Sequence, residues 1–315
     1  MTSELSSSLV GWVALCLVPR IGGRTLAALL KTFGSPRAIF EASEAELLSV
    51  KRIGTRTVAA IQSIDLEAVE AQIRIWHAQQ VTLLTWQDTA YPAPFLDLYS
   101  RPPLLFARGA LRQDWSRVVA IVGTREPTNT YELLAESLAR ELAARGWLVV
   151  SGLARGIDTA AHRGALMTGR TVAVLGGGVD AVYPTRNRSL AEAIIREGAI
   201  YAEVPPGTVP SVGTLMARNR LISGLSKALI VVQAGIESGS MEAARRARQQ
   251  GRHVFTFDDA AFEGNQALLQ MEGIPLAPDF SDWDGLADLL DNLPDPPRQL
   301  SLFDDDGPQQ LPLFD

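Results

Sequence analysis

From Arg117 onward, short and wholly apolar runs alternate with amphipathic stretches, and this alternation is the strongest constraint on the fold. The apolar runs are Val118–Val122, Leu148–Ser151, Thr171–Leu175, Ala199–Ala202, 228–232 and His253–Phe257. Between them, apolar residues recur at spacings of three and four near 131–144, 159–166, 189–197, 219–225 and 241–250. A strand apolar on both faces has no side that can face water, so helices must cover it above and below. Strands alternating with helices give an α/β fold with a parallel sheet and right-handed crossovers. Ligands of such sheets bind beyond the carboxyl ends of the strands.

The rest of the chain reads differently. Residues 1–78 carry the three- and four-residue spacing of helices and contain a repeat. Ile21-Gly22-Gly23-Arg24-Thr25-Leu26-Ala27 returns as Ile53-Gly54-Thr55-Arg56-Thr57-Val58-Ala59. Each copy places a Gly turn before a helix, as in a SAM-like or helix-hairpin-helix domain, where exposed N–H groups suit a phosphate. The same pattern also serves as a helical packing module, and Glu41, Glu44 and Glu46 between the copies favour that use. Residues 79–116 hold Tyr91-Pro92-Ala93-Pro94 and Arg101-Pro102-Pro103 and read as a connecting segment with at most short strands. The α/β domain is expected over 117–291. Residues 292–315 form an acidic, Pro-containing tail expected to be disordered when free.

Charge matters here through its distribution. The net charge is −6. From Ala277 onward ten aspartates face a single arginine, Arg298, so residues 1–276 are left at +3. Local charge governs binding to a phosphate backbone. The single cysteine, Cys16, excludes an intrachain disulfide, fits a reducing compartment and is expected as a small buried hydrophobe. The apolar stretch 9–18 is too short for a membrane span and lacks a basic leader, so a cytoplasmic protein without membrane contact is expected.

The candidate chemistry sits at strand ends. Gly123-Thr124-Arg125 follows the first strand, and Ser151-Gly152-Leu153-Ala154-Arg155-Gly156-Ile157-Asp158 ends the second. Gly176-Gly177-Gly178-Val179-Asp180 follows the third, then Tyr183-Pro184-Thr185-Arg186-Asn187. Arg218-Asn219-Arg220 and Glu237-Ser238-Gly239-Ser240 come later. Glycine lets backbone approach a phosphate, helix starts offer N–H donors, and arginine adds bidentate contacts and stacking. One such turn would be only a tight connection, but four turns carrying Arg, Asn or Ser point to a phosphate-binding edge. The dinucleotide fingerprint and the Walker A sequence are absent, so no cofactor is expected. His77, His162 and His253 lack metal-ligand spacing, so no metal is expected. His162 reads as a buried, hydrogen-bonded histidine and Asp158 as a helix cap.

These segments resemble the DprA (Smf) family. The resemblance rests on Val119-Ala120-Ile121-Val122-Gly123-Thr124-Arg125, on 150–162 with its Ser151-Gly152-Leu153-Ala154-Arg155-Gly156-Ile157-Asp158 core, and on Leu175-Gly176-Gly177-Gly178-Val179-Asp180 with Tyr183-Pro184. Arg218-Asn219-Arg220-Leu221-Ile222-Ser223-Gly224 and Ser238-Gly239-Ser240 complete it. It implies a Rossmann-like domain, single-stranded DNA as ligand, a homodimer, and delivery of the recombinase RecA to DNA in uptake, transformation or repair, with no enzymatic step. The implied contacts are Gly123, Thr124, Arg125, Ser151, Gly152, Arg155, Gly156, Gly177, Gly178, Arg186, Asn187, Arg218, Asn219, Arg220, Ser238, Gly239 and Ser240. The chain departs from the family pattern at Leu215-Met216-Ala217 and at Asp258-Asp259, which adds negative charge where the family carries Pro-Gly. Too few residues follow Pro275 for the winged-helix domain that many members carry.

Two other readings use the same edge. A nucleotide sensor or toxin partner would bind a phosphate there without DNA. A phosphoribohydrolase of the LOG type needs a glutamate in a Gly-Thr-x-x-Glu helix start. Here Gly239-Ser240-Met241-Glu242 brings the glutamate one residue early and leaves Ala243 in its place, a rotation of about 100° on a helix. In the tail, Gln299-Leu300-Ser301-Leu302-Phe303 is similar to the peptide by which bacterial proteins bind the replicative sliding clamp. Gln310-Leu311-Pro312-Leu313-Phe314 is a near copy.

Overall fold

The computed structural model describes residues 6–111 and 114–299, which fall into two compact units. The first holds the described residues up to Asp88 together with 99–104; the second holds 89–98 and 105–299.

The first unit contains α1 (Ser7–Leu17), α2 (Gly23–Phe33), α3 (Pro36–Glu41), α4 (Glu44–Ser49), α5 (Thr55–Gln62), α6 (Leu66–Ala78) and the short strand β1 (Thr82–Thr85). Trp12, Leu15, Leu26, Leu29, Leu30 and Ile39 are fully buried, and the Trp12 indole N–H donates to the Pro103 carbonyl at 2.8 Å. Cys16 is half-buried rather than part of this core. The repeat seen in the sequence is a repeat of backbone geometry. Arg20 (φ 74) and Arg52 (φ 77) both take the left-handed conformation two residues before Gly22 and Gly54, which start α2 and α5 without a side-chain cap.

The second unit begins with the short α7 (Ala93–Leu96) and β2 (Leu104–Gly109). Then come β3 (Val118–Val122), α8 (Asn129–Ala144), β4 (Leu148–Ser151), α9 (Ile157–Thr168), β5 (Thr171–Leu175), α10 (Arg188–Glu197) and β6 (Ala199–Ala202). It ends with α11 (Val212–Leu225), β7 (Ala228–Val231), α12 (Gly239–Gln249), β8 (His253–Phe257), α13 (Glu263–Gln270), β9 (Ile274–Leu276) and α14 (Trp283–Asn292). Its strands stand in the order β2-β6-β5-β4-β3-β7-β8-β9. All pairs are parallel except β2 with β6, where Phe106 faces Ala202 and Gly109 faces Ala199.

Successive side chains of a strand point to opposite faces. Val119 and Ile121 of β3 pack into a core with Leu138, Leu142, Ile157, Phe255 and Leu290, contributed by α8, α9, β8 and α14. The opposite face takes α11 and α12, which pack on each other and on the central strands. The sheet is therefore covered on both sides, as its apolar strands require. The chain runs outward from β3 to β6 and then returns through α11 to β7 on the other side of β3. The β3–β7 boundary is thus the point where strand order reverses, and a ligand crevice opens at such a point.

Three details differ from the sequence reading. The connecting segment supplies β2, and α11 begins seven residues earlier than expected, at a capping box formed by Ser211 and Thr214. The start of the acidic tail has defined contacts: the Gln299 N–H donates to the Asp97 carbonyl at 2.9 Å, and Lys227 pairs with Asp295 at 3.7 Å. Residues 300–315, which hold the rest of both clamp-like segments, lie outside the described residues. No helix among the described residues is long and apolar enough to cross a membrane.

Candidate nucleic-acid interface

The loop after β3 and the loop after β4 are locked together at the switch point. The Thr124 N–H donates to the Gln233 carbonyl beyond β7 at 2.7 Å, and the Ile157 N–H at the start of α9 donates to the Thr124 carbonyl at 3.2 Å. Gly156 makes this approach possible. Its φ is +72, and a β-carbon there would collide with the Thr124 carbonyl oxygen. Asp158, buried in the first turn of α9, accepts from the N–H groups of Gly152 (3.1 Å) and Ala154 (3.4 Å). It ties down the loop in front of the helix, which is a structural use of the carboxylate.

Arg218 comes up from the middle of α11 beneath this loop. It is only 6% exposed, and its Nη1 donates to the Val174 carbonyl at 2.9 Å. Burial pulls its pKa below the ordinary guanidinium value, while Asp158 raises it and Arg125 lowers it further. Burial in turn pushes Asp158 up, against the pull of Arg218 and the two backbone donors. Arginine keeps its proton in proteins, so a buried positive charge lies directly under the rim. His162 lies in the same interior. Its Nδ1–H donates to Thr171 Oγ1 at 2.7 Å, since that hydroxyl spends its own proton on the Val149 carbonyl. Burial first, then Arg218, lower its pKa to about 3. His162 is a neutral core residue, as the sequence suggested.

Three adjoining cavities open at this edge, and Arg125 lines all of them. The first, about 440 Å³, lies between Gly123-Thr124 and the start of α12, where Ser238 caps the helix and its hydroxyl meets that of Ser240 at 2.8 Å. The second, about 410 Å³, is lined by Gly152, Arg155, Tyr183, Arg186 and Arg218. The third, about 360 Å³, is lined by Gly156, Arg163, Arg186 and Asn187. Arg125 and Arg186 are exposed and have no ion-pair partner among the described residues, whereas Arg155 pairs with Glu126 at 3.0 Å.

Most residues singled out in the sequence meet here, with five exceptions in role. Ser151 is fully buried and its hydroxyl donates to the Ile121 carbonyl at 2.6 Å. Gly177 and Gly178 are buried against the 205–210 segment, which leaves no room for a β-carbon. Asn187 spends its amide on the Leu153 carbonyl and Thr159 Oγ1, both at 2.9 Å, and Arg220 pairs with Glu203 at 2.7 Å. Asn219 lines the first cavity while its amide donates to the Gly239 carbonyl at 3.0 Å. Asp259 does not enter the cavities; it accepts from the Tyr131 hydroxyl at 2.7 Å and from the Ala261 N–H at 2.9 Å. Glu242 is buried on α12 and held by Arg245 and Arg246. Arg163 was passed over in the sequence, although its place on the exposed side of α9, next to buried His162, follows from helical phase.

Comparison with known proteins supports the same part of the chain. The family model described as DNA recombination-mediator protein A matches residues 82–277, and that of a SAM-like helix-hairpin-helix tandem matches residues 14–63. Protein Smf of Synechocystis is 33% identical over 287 residues, covering 89% of this chain and 68% of the relative. DNA processing protein DprA of Bacillus subtilis is 36% identical over 190 residues, covering 60% of this chain and 64% of the relative. Among solved structures, DNA processing protein A of Streptococcus pneumoniae superimposes with a TM-score of 0.72 at 27% identity, over 88% of this chain and 97% of that one. The Helicobacter pylori protein, whose structure was described for its single-stranded DNA binding mode, gives a TM-score of 0.60 at 30% identity, over 67% of this chain and 95% of that one.

Proposed function

Because this chain belongs to the DNA recombination-mediator protein A family, we propose that it binds single-stranded DNA along the carboxyl edge of its sheet and acts by binding, without a catalytic step. The observation that carries the reading is that Arg125 lines three adjoining cavities, two of which share Arg186. One mononucleotide needs one such cavity; a run of them suits a polymer. Buried Arg218 adds fixed positive charge below the rim, and N–H groups at the start of α12 add donors. Glu242, held by two arginines, is not poised as a base, which argues against nucleoside monophosphate cleavage.

The test is a titration with oligo-dT against nucleoside monophosphates over a salt series. The logarithm of affinity for oligo-dT should fall linearly with log salt, by about 0.7 per phosphate neutralised. Arg125→Ala should weaken all sequences alike and reduce that slope. Affinity unchanged up to about 0.5 M salt, or saturation by a monophosphate alone, would overturn the reading. The second outcome is the one expected of a nucleotide sensor or toxin partner.

The mediator role extends this to partners. Delivery of RecA to the bound strand fits the family and is tested by RecA filament formation on DNA precoated by another binding protein. Self-association is supported by an apolar groove of about 710 Å³ lined by Met216, Ile236, Met241, Leu268 and Met271, and is tested by light scattering. The sliding clamp is the partner suggested by the tail.

A further inference from the structure

We infer that Tyr183 is a base-stacking residue that makes this interface select single strands over duplex. The inference rests on the proposed DNA-binding reading and assigns recognition of the base face to one aromatic ring. Among the described residues, Tyr183 is the only aromatic one lining the three cavities. The residue is 57% exposed and its side chain has no hydrogen-bond, ion-pair or ring partner among the described residues, so no packing requirement calls for a large ring there.

The chemistry of the second cavity is divided. Arg125, Arg155 and Arg186 supply cations, while Tyr183 and Leu215 supply apolar surface, continued into the first cavity by Met216. A nucleotide has the same division, with an anionic backbone and an apolar base face. The turn that carries the ring is fastened in place. The Asn187 N–H donates to the Pro184 carbonyl at 2.9 Å, and the Asn187 amide binds Leu153 and Thr159 in the loop and helix after β4. Tyr183 and Arg186 are therefore presented together from a turn fastened to the phosphate-binding loop, which lowers the entropy lost on binding. Every base offers a π-face, so stacking tolerates any sequence. In a duplex those faces are already covered by neighbouring bases, and reaching them requires unstacking.

The experiment compares oligo-dT, an abasic oligonucleotide of the same length and a duplex, for wild type, Tyr183→Ala and Tyr183→Phe. Because the side chain is exposed, neither substitution should affect folding, which a thermal melt would verify. Wild type should prefer oligo-dT over the abasic strand by roughly 5- to 150-fold, the range of one base–aromatic stack. Tyr183→Ala should remove most of that preference while leaving abasic binding unchanged, and Tyr183→Phe should retain it. If Tyr183→Ala binds oligo-dT like wild type, or weakens both strands equally, the stacking role is overturned while DNA binding stands. If wild type binds none of the three, the DNA-binding reading itself falls.

Discussion

The guanidinium of Arg218 fills the volume that a β-carbon on Gly152 would occupy. The loop after β4 can close over a buried arginine only because residue 152 has no side chain. Gly152 thus has a structural use, making room for Arg218. Gly152→Ala should displace the guanidinium from the Val174 carbonyl and cost about 1–3 kcal/mol, the usual penalty for overpacking. Oligo-dT affinity should fall with it. In an Arg218→Ala background the same substitution should cost less, since the clash is gone, and a double-mutant cycle reads the coupling. Additive effects would show that the two residues do not meet.

His162 gives the fold a dependence on pH. In the unfolded chain a histidine takes up a proton near pH 6.5, but in the folded protein His162 stays neutral down to about 3. Between these values the unfolded state binds more protons, so stability rises with pH across the window and is lost as pH falls below 6.5. The slope from this residue is at most about 1.4 kcal/mol per pH unit. Urea midpoints measured from pH 7 to 5 should decrease, and nitrogen NMR of the ring at pH 5 should show a neutral imidazole with the proton on Nδ1. A charged ring at pH 5 in folded protein would contradict this environment.

The central strands were legible because a parallel sheet covered on both faces leaves an unbroken apolar run, as in Val118–Val122 and Thr171–Leu175. Two elements were not. β2 follows Pro102-Pro103, and the prolines masked a six-residue strand that pairs antiparallel at one side of β6. The first half of α11 lacks an amphipathic stripe, because Arg218 on it is buried with its charge. The site shows a similar split. Local sequence revealed which turns carry glycine and arginine, but the roles of Ser151, Asn187 and Arg220 depend on partners 30, 34 and 17 residues away. Local spacing holds no record of such partners.

Asp258-Asp259 offers a direct test of whether that departure from the family pattern weakens the site. Asp259 is held below the usual carboxylate range by the Ala261 N–H and then by the Tyr131 hydroxyl, whose own pKa is pushed well above the ordinary phenol value by burial and by this carboxylate. Asp258 accepts from the Gln266 amide at 2.9 Å. Neither lines the three cavities. Asp259→Asn should leave oligo-dT affinity within about twofold, because the carboxylate is spent on the Ala261 N–H and the Tyr131 hydroxyl and exposed charges outside a site are screened by salt. Tyr131→Phe should cost about 1 kcal/mol of stability for the lost hydrogen bond and leave DNA binding alone. A large gain in affinity on removing the Asp259 charge would place it in the DNA path after all.

The tail carries a prediction about order between its two clamp-like segments. Gln299 opens the first, and it is already engaged: its N–H donates to the Asp97 carbonyl and its side-chain amide to the Gln249 carbonyl, both at 2.9 Å. Just before it, Arg298 pairs with Asp97 at 3.6 Å, and Pro297 lies where a β-carbon on Gly251 would be. A clamp that uses the Gln299 amide to orient the peptide must first exchange these bonds. Each hydrogen bond is worth about 1 kcal/mol net, so releasing two weakens the first segment by roughly 30-fold. The second segment, 310–314, should therefore carry more of the affinity despite Pro312. In pull-downs with purified clamp, Leu313→Ala/Phe314→Ala should reduce binding more than Leu302→Ala/Phe303→Ala, and the quadruple variant should not bind. The opposite ranking would show that docking of 297–299 does not restrain the first segment. Equal retention of wild type and the quadruple variant would remove the clamp as a partner through this tail.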